Sequence, residues 1–503
     1  MKIFSIYNSQ KNINFQKKVN LIVYNDSHGS IKHVDSFITE RDNFYKQNQD
    51  GTNLTLCGGD LFLDESPNNE IVAAEIVKVT DAIAVGNHDV GAGNYLAKLI
   101  DKFNMQKKWH SINIGFEKET PLKEKIAKSS VIEKNGEKFG IIGVSPFDFG
   151  KNFFKNEKTD FIKMESLSKT IEAIKKEINK LKESGIKMIF LLAHTGELGS
   201  QGENYYEEFA KIGDIDVIIG GHDHKEVDKW ATSTTGKPVK IIATGRSLQR
   251  DFGENLDVIS KLNLEFDDNG VLVKEKSSSS FIALKEDINS KIPVEIVRKI
   301  DSALTKTDAL RGHSEIGNLI ADSNLWYVNL HTNGEKADFA FVNPGTIRAN
   351  FDSPNITIED IQSALPFISQ TLIKTSLTKK QIKDTLEWCV KSTTLPKVSP
   401  GVMQVSNMEY TINPDLTVSN VHILNNDGTI KYYLDLCDDN KKFTAVYDTF
   451  LATGILGLTA LAKNCENNPN VEIFGEPRQK VLKEYLLKVD KLMDYKKVRI
   501  IRK

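Results

Sequence analysis

The feature that most constrains this chain is a repeated pattern of short apolar, β-branched runs that end abruptly in glycine, aspartate, asparagine or histidine. VNLIVY (19–24) runs into NDSHG, LTLC (54–57) into GGD, AIAV (82–85) into GNHDVG, IFLLA (189–193) into HTG, and DVIIG (216–220) into GHDH. A run of this length bounded by turn residues reads as a buried strand. Several runs are separated by segments long enough for a crossover helix, and the clearest helix falls at 164–184. There Leu167, Ile171, Ile174, Ile178 and Leu181 step by four and three along one face, Lys and Glu fill the other, and Gly185 ends the pattern. Strand, helix, strand repetition predicts an α/β sheet covered by helices, with ligands gathering beyond the carboxyl ends of the strands.

Every one of those predicted ends carries residue types that bind metals. Asp26 and His28 lie two apart, so both can turn toward one ion at the end of an extended strand. His222 and His224 form a similar pair, Asn87 offers a neutral amide oxygen, and His194 another imidazole. Asp60 is the natural bridge in a two-metal site, where one carboxylate spans cations roughly 3.5–4 Å apart. An imidazole, carboxylate and amide set without cysteine favours two divalent ions drawn from Zn, Mn, Fe, Co or Ni. Water held between such ions is acidified toward hydroxide, a nucleophile for hydrolysis at neutral pH. A lone histidine in an apolar segment is ordinarily a packed residue. Five such strand ends in one domain make that reading a costly coincidence.

Length and charge set the outer bounds. The 503 residues suit two domains of roughly 200 to 280 residues each. With 66 Lys and Arg against 68 Asp and Glu, the net charge of -2 gives no global field to attract nucleic acid or an anionic membrane. An anionic substrate must therefore be held by local charge. Cys57, Cys389, Cys437 and Cys465 show no CxxC pair and read as free thiols. The first twenty residues lack the apolar core and cleavage site of a secretory signal, and no run of about 18 apolar residues occurs. The expectation from these features is a cytoplasmic protein.

The segment from Gly245 to Phe266 reads as antiparallel strands closing the sheet, and Ser277 to Ser280 as a low-complexity joint. The domains are placed at 1–280 and 308–503, with 281–307 a linker and 285–307 a bridging helix. Beyond it, 315–330, ITIEDIQSAL (356–365) and LTKKQIKDTLEWCV (377–390) read as helices. DFAFV (338–342) reads as a strand and 403–424 as alternating β-like runs.

In order and in spacing, NDSH, GGD, GNHD, AHTG and GHDH resemble the five blocks of the calcineurin-like metallophosphoesterases, and within them the two-domain 5'-nucleotidase group. The resemblance implies a two-sheet β-sandwich flanked by helices, followed by an α+β substrate-binding domain. It implies that Asp26, His28, Asp60 and His224 hold one metal and that Asp60, Asn87, His194 and His222 hold the other. His88 then matches the catalytic histidine, which contacts the leaving group or the attacked phosphate. VNPGTIRA (342–349) resembles the Asn-x-Gly-x-Ile-Arg block, LRGHSEIGNLIAD (310–322) the arginine block, and Leu365-Pro366-Phe367 the Leu-Pro-Phe turn. Asn343, Gly345, Arg348, Arg311 and Phe450 are thereby implied to contact the substrate. A guanidinium suits a phosphate because its planar fork of donors stays charged.

The chain departs from the nucleotidase pattern at several positions. Phe450 matches one ring of the base sandwich, but Val402 stands where the other is expected. Leu456 replaces an aspartate that would bind ribose hydroxyls, His313 sits where a glutamate is common, and Gly91 replaces an aspartate that orients the histidine. The expected activity is dimetal hydrolysis of a phosphomonoester, a nucleoside 5'-monophosphate first. The alternatives are the same chemistry on 2',3'-cyclic nucleotides, nucleotide sugars or a non-nucleotide phosphoester, and a catalytically weakened metal- and ligand-binding protein.

Overall fold

The computed structural model describes residues 17–503 except 32, 64–65, 67, 92, 148–160, 200–201, 246–257, 285–294, 306–310, 352, 366–369, 395–400, 455–456, 464 and 466–470. The described residues fall into two compact units, those up to 284 and those from 295 onward.

The first unit is built on the predicted strands. Lys17–Tyr24, Thr52–Cys57, Ala82–Ala84, Trp109–His110 and Ile126–Ala127 run parallel in one sheet of seven strands, which Val258–Phe266 and Ser278–Ala283 extend antiparallel. A second sheet of six strands has Glu137–Val144, Met188–Ala193, Val217–Gly220 and Pro238–Thr244 parallel at its centre. The two sheets pack face to face. Val19, Leu21 and Val23 from one meet Phe139, Ile141, Phe190 and Leu192 from the other in a single buried cluster. Strand side chains alternate between faces, so Ile189 and Leu191 point the other way, onto Ile174, Ile178 and Leu181 of the helix Leu167–Glu183. That helix occupies the predicted segment, and the expected helix-flanked sandwich is what forms.

Two expectations along the chain need correction. The serine run is not a joint, because Ser278–Ala283 is an edge strand paired with Val258–Phe266 from Asn263–Ser278 to Val258–Ala283. An edge strand with a solvated face tolerates serine as readily as a linker does. Nor do the described residues after 294 continue a helix. Ile296–Lys299 is a strand, antiparallel to Asn355–Thr357, and its Ile296-Val297 pair favours that geometry. The remainder of the expected bridging helix, 285–294, lies outside the described residues.

The second unit centres on five strands in the order Gln404–Ser406, Phe339–Val342, Lys442–Asp448, Leu372–Thr378, Glu472–Phe474. The buried helix Glu315–His331 packs on this sheet, and Lys379–Ser392 buries Ile382, Leu386 and Cys389 against Phe339, Phe341 and Leu377. Both helices begin at side-chain caps, Ser314 on Gly317 N and Thr378 on Gln381 N. A second sheet joins Met408–Ile412, Val418–Leu424, Ile430–Tyr433 and Ile500–Arg502. Among the described residues, no helix is long and apolar enough to cross a membrane.

Candidate metal centre and substrate turns

All seven expected ligands follow the carboxyl ends of parallel strands in the first unit. Five of them have left-handed backbone: Asp26 (φ 52°), His28 (47°), Asp60 (50°), His222 (91°) and His224 (54°). A non-glycine residue in this region costs of order 1–3 kcal/mol and persists only where its surroundings over-determine it. Here the strand-end loops hold one another. Asp26 N donates to Gly59 O at 2.9 Å, His28 N to Asp60 O at 3.0 Å and Gly29 N to Leu61 O at 2.8 Å, so the first two loops run as a pair. Glycines make the approach possible: a Cβ on Gly86 would overlap Asp60 Oδ1, and one on Gly59 would overlap the His194 ring.

The side chains gather into two groups with Asp60 and His28 between them. Asp26, His28 and His224 place their donor atoms within 4.8 Å of one another, as do Asp60, His194 and His222. Asp26 Oδ1 is 3.2 Å from His224 Nε2 and 3.8 Å from His28 Nε2, and the two imidazole nitrogens face each other at 3.2 Å. Asp60 Oδ2 is 3.1 Å from His194 Nε2, while its Oδ1 accepts from His88 N at 2.8 Å. The His88 ring packs edge-on against His28 with centroids 4.8 Å apart, and its donor atom falls within the same reach of His28 and Asp60. Asn87 is 2% exposed, and its Oδ1 is buried without a hydrogen-bond partner.

These features fit a cation. His194 Nδ1 lies 2.8 Å from Gly58 O, an oxygen that only accepts, so Nδ1 carries a proton and Nε2 is the atom left to meet Asp60 Oδ2 at 3.1 Å. Lone pair facing carboxylate is repulsive until a proton or a metal sits between them. Burial alone would lower the His194 pKa, but the carboxylates of Asp60 and Asp26 outweigh it and push it up to about 10. Burial likewise opposes ionisation of Asp26 and Asp60, yet the surrounding imidazoles hold both carboxyls below their usual range. His28, buried and beside His88, is held well below the normal histidine value and so presents a neutral ring. A cluster with ionised carboxylates, a neutral imidazole and an orphaned amide oxygen is a ligand set for hard or borderline divalent ions.

Three supporting residues escaped the sequence reading. Asp89, 3% exposed, accepts from Gly86 N at 2.9 Å, Asp60 N at 3.0 Å and Phe62 N at 2.8 Å, so its carboxylate ties the GGD loop to the GNHD loop. Its place beside His88 was the signal, but its work is on backbone. Asn25 donates to Asp26 Oδ2 at 2.6 Å and accepts from Thr244 N at 2.9 Å. Tyr206 accepts from Gly221 N at 3.1 Å through a hydroxyl that nothing in the local sequence marks.

In the second unit the implied substrate residues sit on turns. Asn343, Gly345 and Arg348 surround the turn Pro344–Thr346, where Asn343 Oδ1 accepts from Gly345 N at 3.0 Å. Arg348 is half-buried and its N–H donates to Ala364 O at 2.8 Å. Phe450, half-buried, precedes the turn Leu451–Thr453. Arg311 is exposed, ahead of the helix Glu315–His331. Val402 is fully buried in the core with Met403 and Val405, so it forms no wall of a binding surface. His313, half-buried, has both ring nitrogens shielded without partners, and burial lowers its pKa. Pro366, Phe367 and Leu456 lie outside the described residues.

Residues 19–226 match the calcineurin-like phosphoesterase family and residues 295–463 match the 5'-nucleotidase C-terminal domain. The chain belongs to the calcineurin-like phosphoesterases of the two-domain 5'-nucleotidase type. As a member, it is a metal-dependent phosphoester hydrolase. This phosphoesterase is 25% identical over 418 residues to the trifunctional nucleotide phosphoesterase protein YfkN of Bacillus subtilis, covering 71% of this chain but only 26% of that one. It is 24% identical over 488 residues to the 5'-nucleotidase of Vibrio vulnificus, covering 85% and 84% of the two chains. The fold is that of the 5'-nucleotidase precursor from Thermus thermophilus, at a TM-score of 0.63 and 20% identity over 96% of this chain and 99% of that one.

Proposed function

We propose that the phosphoesterase binds two divalent cations and hydrolyses nucleoside 5'-monophosphates to nucleoside and phosphate. The observation that carries the reading is the pair of donor groups, Asp26, His28, His224 and Asp60, His194, His222, with the orphaned Asn87 oxygen beside them. Asp26, His28, Asp60 and His224 would hold one cation, and Asp60, Asn87, His194 and His222 the other. When bound, the cations would acidify a water and draw charge from the phosphoryl oxygens. His88 is the proton donor to the leaving oxygen in this account. Its backbone is fixed to Asp60 and its ring edge rests on His28. Arg348 and Arg311 would grip the phosphate, Asn343 and Gly345 shape the turn that presents Arg348, and Phe450 stacks on the base.

Support for a nucleotide comes from the relatives' own names and from the half-buried ring of Phe450. Val402 favours a second reading, a phosphoester without a base, because its burial leaves that position unable to complete a sandwich. A panel of AMP, other nucleoside monophosphates and base-free sugar phosphates, assayed with Mn or Zn, separates the two. Preference for nucleotides supports the first reading; equal rates on AMP and ribose 5-phosphate overturn it.

A further inference from the structure

The helix Arg478–Lys488 opens with an arginine that is 2% exposed, and sequence patterning had given it no role. One nitrogen of its guanidinium, Nη1, faces three acceptors from separate segments: Thr346 Oγ1 at 3.0 Å, Asp448 Oδ2 at 3.1 Å and Gln370 Oε1 at 3.2 Å. Thr346 closes the turn that leads to Arg348, its hydroxyl donating to Asn343 O at 2.7 Å. Asp448 caps the turn that follows Phe450, its Oδ1 accepting from Leu451 N at 2.9 Å. Next along the helix, Gln479 Nε2 donates to Leu365 O at 2.6 Å. The helix start thus gathers the turn before Arg348 and the turn at Phe450, two segments far apart in sequence.

As a stability device the arrangement is poor. Nε and Nη2 of Arg478 are buried without partners, and a buried ion pair with unsatisfied donors is commonly no better than a well-packed apolar pair. What it supplies is geometry: a rigid planar cation that fixes two turns against each other.

We propose that Arg478 is a positioning residue for substrate, setting the turn that carries Arg348 at a fixed spacing from the turn that carries Phe450. The claim rests on the reading above, in which those two residues contact the nucleotide.

Arg478→Gln alone would strand the Asp448 carboxylate, so the test pairs it with Asp448→Asn in the full-length, metal-loaded enzyme. The paired variant is expected to raise KM for AMP about tenfold while kcat changes less than about threefold. Thr346→Val, nearly isosteric and less liable to unfold, cuts the same link and is expected to raise KM severalfold. Phe450→Ala completes a cycle in which the losses from the pair and from Phe450 overlap rather than multiply. An unchanged KM in Thr346→Val, or losses that multiply independently, overturns the positioning role. If Phe450→Ala itself leaves KM for AMP unchanged, the nucleotide reading fails first and takes the inference with it, so the two failures are distinguishable.

Discussion

At the scale of single residues, the centre divides labour between side chains grouped at the proposed metal site and side chains that hold those in place. His88 is the sharpest case, since its ring neighbours the ligand cluster although its expected role is proton transfer. His88→Ala should lower kcat about 10²- to 10⁴-fold while metal content, measured by atomic emission, stays near that of the wild type; loss of metal would make it a ligand instead. Asp89 works through backbone, accepting from Gly86, Asp60 and Phe62. Asp89→Asn would turn an amide N–H toward one of those donors, and metal affinity should fall about 10- to 100-fold, read by competition with a chelating dye. That these side chains gather in one place was legible in the sequence because metal-binding residue types recur where apolar runs stop. The left-handed backbone of Asp26, His28, Asp60, His222 and His224 was not. It depends on hydrogen bonds between loops far apart in sequence, and no local pattern encodes them.

At the scale of elements, the strands of the first unit were legible and their partners partly so. A run such as Met188–Ala193 is apolar throughout because both of its faces are covered, one by the other sheet and one by the helix Leu167–Glu183. Ser278–Ala283 and Ile296–Lys299 carry no periodic strand signal in the sequence, because a short edge strand has too few buried positions to impose a period. Asp216 offers a test of how one strand pair is pinned. Its carboxylate accepts from Ile189 N at 2.8 Å, and burial pushes its pKa up to about 8. A raised acid binds its proton more tightly in the folded state, so stability falls as pH climbs from the ordinary aspartate range through about 8. Asp216→Asn keeps an acceptor and removes that penalty. Its melting temperature relative to wild type should therefore be higher at pH 9 than at pH 5; a pH-independent difference would show that the carboxylate is not held protonated. In the helix, Ile178→Ala should cost about 2–5 kcal/mol, seen as a lower denaturant midpoint.

At the scale of the whole molecule, the two units contribute different things: the first a cation-demanding cluster, the second turns that bear arginines and an aromatic ring. Metal binding should couple to the stability of the first unit, since ions that bind only the folded state stabilise it by mass action. Chelation should abolish hydrolysis and lower the melting temperature, and added Mn or Zn should restore both. An enzyme equally active and equally stable in excess chelator would refute the link. The division into a calcineurin-like half and a 5'-nucleotidase C-terminal half was readable from ordered motifs. Arg478 was not, because its partners Thr346, Gln370 and Asp448 are brought together only by the fold.

The claim on which the rest depends is that Asp60 lies between two cations. Anomalous diffraction from crystals soaked in Mn tests it directly: the account predicts two peaks roughly 3.5–4 Å apart, one beside Asp26, His28 and His224 and the other beside Asn87, His194 and His222, with Asp60 touching both. A single peak, or two peaks that Asp60 does not bridge, would contradict it.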